Sequence, residues 1–348
     1  MQTIYDLDTP ALIVDLDVME ANLIRLQSYC DQHGIGLRPH IKTHKIPAFA
    51  HKQMELGAIG ISCQKLGEAE IMVEAGLLDI MIPYNLVGPR KLERLATLAR
   101  RAQITVAVDS LEVAHPMAEY LYQQDLTVNA VIELTSELNR CGVTSPGAAV
   151  ALARAINTGR GLSFQGILVY PSSIQSMPLV AETLTALRAE GLAAAIVSGG
   201  GSPTAYQSHE FPQLTEIRAG TYIFNDWSYL RKGVCSLEQC ALKVIVTVVS
   251  EPTPERVIID GGTKTFSSDM GYPMGYVIEY PEAQIYQMSE EHGFVDVSQC
   301  IHKPKVGDRI TVIPNHACGT LNMHDTLIGC RGEKVEAQWQ IAARGKIQ

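Results

Sequence analysis

The sequence predicts an α/β protein: a (β/α)8 TIM-type barrel followed by an all-β domain. The first observation is a beat of short apolar runs, rich in β-branched residues, that end near Lys42, Gln64, Tyr84, Asp109, Leu134, Tyr170, Ser198 and Phe224. The second is that stretches with helical spacing separate most of them. Strand–helix alternation, with strands apolar on both faces, marks parallel β-α units. Eight such units over roughly 200 residues fit a barrel in size. A doubly wound open sheet gives the same local pattern, and periodicity does not separate the two. The third observation is a change of rhythm near Leu237, after which only strand-like runs follow.

Taken in order, residues 9–15 form an apolar strand, and Asp17 caps a helix that runs to about Gln32. Helical spacing then marks 67–75, 90–102, 111–123, 147–158 and 178–190. In the last third, strand-like runs cover 241–249, 256–259, 277–279, 284–288, 309–313, 326–329 and 334–340, with Pro, Gly and Asp turns between them and no convincing helix. The expected division is 1–15 as an N-terminal strand that can join the β domain, 16–235 as the barrel and 236–348 as the β domain. A hinge is expected at 233–237.

Composition narrows the function. With 46% hydrophobic and 19% charged residues, the chain is that of an ordinary globular protein. A formal net charge of −9 argues against a nucleic-acid partner and against an anionic membrane surface. The first residues lack the basic start and apolar core of a signal peptide, and no apolar run is long enough to span a bilayer. The 8 cysteines are scattered without a C-x-x-C pair, as expected of small buried hydrophobes in a reducing cytoplasm.

Three stretches carry chemistry. In Arg38-Pro39-His40-Ile41-Lys42-Thr43-His44-Lys45, two lysines, two histidines and an arginine stand at a strand end. Strand alternation there puts His40 and Lys42 on one side and Ile41 on the other. A lysine facing a partly dry cavity suits Schiff-base chemistry; a solvated basic loop is the alternative. Phosphate sites of such barrels lie after the seventh and eighth strands. There the chain has Ser198-Gly199-Gly200-Gly201-Ser202-Pro203-Thr204 and Arg218-Ala219-Gly220-Thr221-Tyr222. Glycine amides approach an anion closely, and Ser202, Thr204 and Tyr222 add hydroxyl donors. Finally, His316 and Cys318 stand two apart after an apolar strand, so in extended geometry both face one ion. Imidazole with thiolate favours zinc over magnesium or calcium, and two ligands leave open positions. The alternative is a loop histidine beside a buried cysteine. The run Ser289-Glu290-Glu291-His292-Gly293 is a further candidate.

These blocks fall in the order of a known family. Together with Cys63-Gln64-Lys65-Leu66-Gly67-Glu68, Asn139-Arg140-Cys141-Gly142, Asp260-Gly261-Gly262 and Ala343-Arg344-Gly345-Lys346, they resemble the D-threonine aldolase and D-serine dehydratase family over essentially the whole chain. That family has the alanine-racemase-like, fold-type III pyridoxal-phosphate architecture. The resemblance implies pyridoxal 5'-phosphate held by Lys42, with Arg140 near the ring oxygen and Gly200, Gly201, Ser202, Thr204, Gly220, Thr221 and Tyr222 around the phosphate. It implies a divalent metal (zinc, manganese or magnesium) on His316 and Cys318. His44, Gln64, Tyr170 and Glu291 are implied in substrate contact, cofactor contact or proton transfer. The expected reaction is cleavage of a D-3-hydroxy-α-amino acid, D-threonine to glycine and an aldehyde first. Dehydration of D-serine or D-3-hydroxyaspartate comes second and racemisation third. A pyridoxal-phosphate carrier and a cofactor-free sugar-phosphate barrel enzyme are the readings from other classes. A cytoplasmic homodimer is expected on the same ground.

Overall fold

The structure, a computed structural model, describes residues 2–348. The chain divides into two compact units. One is formed by the chain up to Ile24, Thr43–Ile46 and Thr221–Gly345; the other by Arg25–Lys42, Pro47–Gly220 and Lys346–Gln348. The expected boundary at 235/236 falls inside the first of these.

Along the chain, β1 (Ala11–Asp15) leads into α1 (Leu16–His33). The barrel unit then runs β2 (Gly36–Leu37), α2 (Pro47–Glu55), β3 (Ile61–Ser62), α3 (Leu66–Glu74), β4 (Asp79–Ile82), α4 (Pro89–Ala99) and β5 (Gln103–Val108). It continues α5 (Leu111–Gln123), β6 (Val128–Leu134), α6 (Pro146–Thr158), β7 (Leu162–Val169), α7 (Met177–Ala189), β8 (Ile196–Gly200) and β9 (Glu216–Arg218). Its eight strands pair in parallel in the order β2-β9-β8-β7-β6-β5-β4-β3. The gap between β2 and β3 is closed by a His40–Ser62 bridge, with Ser62 N–H donating to the Pro39 carbonyl at 2.8 Å. The open-sheet alternative is thereby set aside. Local sequence makes the helices: Pro146 starts α6 behind Ser145, whose side chain accepts the Ala148 N–H. Inside, Met81, Ala107, Val131 and Leu168 from four successive strands form a fully buried cluster flanked by Ile196. Complete burial of such a Met, Val or Leu is worth about 1.5–3 kcal/mol each.

The other unit is β-rich. It contains α8 (Trp227–Arg231), β10 (Leu242–Thr253), β11 (Arg256–Ile259), β12 (Tyr276–Val277), β13 (Gln284–Met288) and β14 (Gly293–Asp296). It ends with β15 (Arg309–Ile313), α9 (Ala317–Leu321), β16 (Thr326–Arg331) and β17 (Lys334–Gln340). The N-terminal strand β1 lies between β10, antiparallel, and β16, parallel. Ala11–Val14 are all buried, so both faces of the strand are covered, which accounts for its unbroken apolar run.

Two expectations for this region need correcting. Strand β14 falls outside the expected strand-like runs; only Phe294 and Val295 are apolar in it, yet it pairs with both β11 and β13. The region is also not free of helix, because α9 starts one residue after His316. No cysteine is joined in a disulfide. Among the described residues, no helix is long and apolar enough to cross a membrane.

Candidate active site

The basic stretch is largely buried, with Arg38 and His40 only 7% and 6% exposed and Lys42 half-buried, which removes the solvated-loop alternative. Strand alternation does not set its side chains, however. Strand β2 stops at Leu37, and Ile41–Thr43 closes a 3-10 turn instead. Lys42 Nζ stands 5.7 Å from the centre of the Tyr170 ring, and the Arg140 guanidinium carbon 5.2 Å from the same centre. An aromatic face attracts both cations. Arg140 is set in turn by Glu133, a buried β6 carboxylate 3.5 Å away that also accepts the Cys141 thiol at 3.1 Å. Gln64 meets His40 Nε2 through its Oε1 at 2.9 Å, and its backbone N–H donates to Glu68 at 2.6 Å.

The two loops predicted to hold phosphate are brought together: Gly220 N–H donates to Ser202 Oγ at 3.2 Å. Gly200 has to be glycine, because a Cβ there would lie 2.8 Å from Tyr170 Cδ2. Gly201 takes a φ of 113°, which favours glycine. Thr204 Oγ1 is buried with no hydrogen-bond partner among the described residues. A buried hydroxyl left alone is costly, and a phosphate oxygen would satisfy it. The barrel residues therefore fit pyridoxal phosphate: an amine, a guanidinium, and a cradle with an unsatisfied donor.

Deeper in the barrel lies a network that sequence reasoning missed. Arg38 Nε donates to Glu216 Oε2 at 3.1 Å, and Ser198 Oγ donates to Glu216 Oε1 at 2.6 Å. Arg218 donates to Ser198 Oγ and to the Val169 carbonyl. Burial, opposed by Glu216 and Glu133, brings the Arg218 pKa down to about 10. The one available signal was an Arg at each of positions 38 and 218, on strands too short to show a pattern.

In the β-rich unit the metal pair forms, but not by the predicted route. His316 is extended (φ −140°, ψ 106°) while Cys318 sits in the first turn of α9. Asp226, fully buried, starts that helix by accepting the Ala317 N–H at 3.0 Å. The two side chains still meet, because the imidazole hydrogen-bonds Cys318. Nδ1 of His316 holds Asp269 Oδ2 at 2.7 Å. Burial lowers the His316 pKa, but Cys318 and Asp269 outweigh it and lift the value to about 9. Around the sulfur stand the Thr43 hydroxyl at 3.2 Å and the Thr221 hydroxyl at 3.7 Å. No group of three His, Cys, Asp or Glu among the described residues is arranged to hold a metal, so the pair would leave positions open. An imidazole with Nδ1 taken by a carboxylate, beside a thiol, suits a borderline-soft divalent ion.

The remaining candidates are placed as follows. His44 is fully buried, and its Nδ1 accepts the Ile46 N–H at 3.1 Å, which puts the proton of a neutral ring on Nε2. Tyr222 is buried. Glu291 is turned to solvent, and its carboxylate takes Lys264 Nζ at 2.6 Å.

The family described as alanine racemase, N-terminal domain, matches residues 14–226, and the one described as putative serine dehydratase domain matches 241–330. A parallel barrel carrying a half-buried lysine in the turn after its first strand, followed by such a domain, makes this a member of the alanine-racemase-like class of pyridoxal-phosphate enzymes. The D-threonine aldolase of Arthrobacter sp. is 35% identical over 97% of this chain and 93% of its own length. The solved D-threonine aldolase of Filomicrobium marinum superposes with a TM-score of 0.94 at 33% identity, covering 100% of both chains. A D-threo-3-hydroxyaspartate dehydratase, solved metal-free as a cysteine-to-alanine variant, gives 0.88 at 29% identity over 98% of this chain and 99% of that one. The chain belongs to this family of D-threonine aldolases and D-3-hydroxyaspartate aldolases and dehydratases, and it is a lyase.

Proposed function

We infer that the protein is a pyridoxal-phosphate-dependent, metal-assisted lyase of D-3-hydroxy-α-amino acids, splitting D-threonine to glycine and acetaldehyde. The observation that carries this is Lys42 and Arg140 over the Tyr170 ring, beside a glycine loop whose Thr204 hydroxyl is buried without a partner. Bound pyridoxal phosphate supplies an electron sink for the pair released at the substrate's α-carbon.

The chain's own part is to hold, orient and move protons. Lys42 would hold the cofactor through Nζ and afterwards give and take protons there. Arg140, fixed by Glu133, would serve the ring. The amides of Gly200, Gly201 and Gly220 and the hydroxyls of Ser202 and Thr204 would hold the phosphate, with Thr221 and Tyr222 next along the chain. Gln64, braced by His40, would contact the ring, and Tyr170 would steer Lys42. His316 and Cys318 would hold zinc, with manganese or magnesium as alternatives, which would polarise the β-hydroxyl. Support for that pair comes from the dehydratase relative, which has been solved with a cysteine, and separately a histidine two residues before it, replaced by alanine. His44, whose Nδ1 is occupied by the Ile46 N–H, is a candidate for substrate contact as an Nε2 donor, and Glu291 would have to release Lys264 to take the hydroxyl proton.

A second reading, dehydration to a keto acid and ammonia, draws on the same His-x-Cys pair. We place the enzyme in the cytoplasm, as a homodimer, on the family resemblance and on its scattered cysteines, none of which is joined in a disulfide. Incubating purified protein with D-threonine and with D-serine tests the choice. Glycine from D-threonine without ammonia is expected; ammonia with a keto acid selects dehydration, and neither product overturns the lyase assignment.

A further inference from the structure

We propose that Asp269 is a positioning residue for the metal site, holding His316 by Nδ1 so that Nε2 is presented to the ion. This rests on the metal reading above and adds a residue to it. An imidazole ligand must offer one bare nitrogen and keep its proton on the other. Free in water the ring exchanges between the two forms and rotates. A carboxylate on Nδ1 fixes the tautomer, fixes the ring plane and makes Nε2 more basic.

The surroundings show that this carboxylate is held in place from several sides. Its Oδ2 meets His316 Nδ1 at 2.7 Å, and its Oδ1 accepts the Ser267 hydroxyl at 2.5 Å. Ser267, itself buried, donates its backbone N–H to Thr320 Oγ1 of α9 at 3.1 Å. At the other end of the segment, Asn315 Nδ2 donates to the Gly271 carbonyl. The loop 267–271 is therefore fastened to residues 315 and 320, which bracket the metal pair. Gly319 makes room for it: a Cβ there would lie 2.2 Å from Ser267 Oγ. The line of dependence runs Gly319 to Ser267 to Asp269 to His316, and only the last would touch the ion. As a surface ion pair, with the Asp269 side chain 54% exposed, the contact would be worth little. Its weight lies in aiming the ligand.

The test measures zinc and manganese affinity of the purified, cofactor-loaded enzyme by competition with a chromophoric chelator, while recording cofactor absorbance. Asp269→Asn should weaken both metals about 10–100-fold with the absorbance unchanged. Asp269→Glu should recover part of the loss. Gly319→Ala, which removes no ligand and no hydrogen-bonding group, should lose affinity too, and the double variant should lose little more than Asp269→Asn. Wild-type affinity in Asp269→Asn beside a crippled His316→Ala would overturn the proposal. Wild-type protein binding metal no better than His316→Ala would remove the metal assignment itself, and the proposal with it. If Gly319→Ala fails to fold, the two Asp269 variants still decide.

Discussion

The two units hold their functional groups in opposite ways. In the barrel the groups come from strand ends far apart in sequence, and a closed hydrogen-bonded ring sets their positions. Charges there are buried and shared: Arg38 reaches Glu216 and Asp79, and Arg218 reaches Ser198 and the Val169 carbonyl. In the β-rich unit the metal pair lies within three residues, at the start of a five-residue helix, and its orienting carboxylate arrives on a loop. The barrel site is thus part of what holds its unit folded, whereas the metal pair sits on one short helix steadied by a few loop side chains. Damage to the first should cost stability or cofactor together with activity. Damage to the second should cost activity and metal alone.

The largest effect should come from Lys42→Ala, lowering D-threonine cleavage by about 10³-fold or more. Wild-type protein should be yellow and this variant colourless, and borohydride should attach cofactor only to the former; a covalently fixed cofactor in this variant would break the assignment. Next, Glu216→Ala takes from Arg38 one of its two carboxylates and from the buried Arg218 its strongest opposing charge, and should cost about 3 kcal/mol in urea unfolding, with metal affinity unchanged. His316→Ala or Cys318→Ala should lower turnover about 100-fold, an amount within the several kcal/mol a Lewis acid supplies. Cofactor absorbance should stay the same and EDTA should have no further effect; loss of colour would erase the contrast between the units.

The smallest effect concerns His324, whose pKa burial depresses against the pull of the Thr265 carbonyl. Unfolded, its pKa is about 6.5. As pH falls below that value the unfolded chain takes up the proton first, so stability is full above about 6.5 and declines towards the folded value. Urea midpoints at pH 5.5 and 7.5 should therefore differ more for the wild type than for His324→Gln.

The parts legible in sequence are those whose cause is local. The apolar beat located the barrel strands because each is covered on both faces, and α5 covers 111–123 as the spacing indicates. Gly200 and Gly201 show because close approach and positive φ call for glycine. What stayed hidden depends on distant partners. Strand β2 has two residues and a helper bridge at His40, so no alternation could develop. Helix α9 is started by Asp226, far upstream in the chain, which propensity cannot register. Asp269 and Glu133 gain their roles from groups met only after folding, and the Ser198–Glu216–Arg218 network from inward-facing positions on short strands.

The position of β1 has a consequence for how the protein is made. Its partner β10 begins 227 residues after Asp15, the difference between positions 242 and 15, and β16 is later still. At roughly 5–20 residues per second, β1 waits about 10–45 s after its own synthesis for a neighbour. An apolar, doubly unpaired strand exposed for that long is a ready substrate for a holdase chaperone. The nascent chain, rather than the finished enzyme, is where aggregation would be decided.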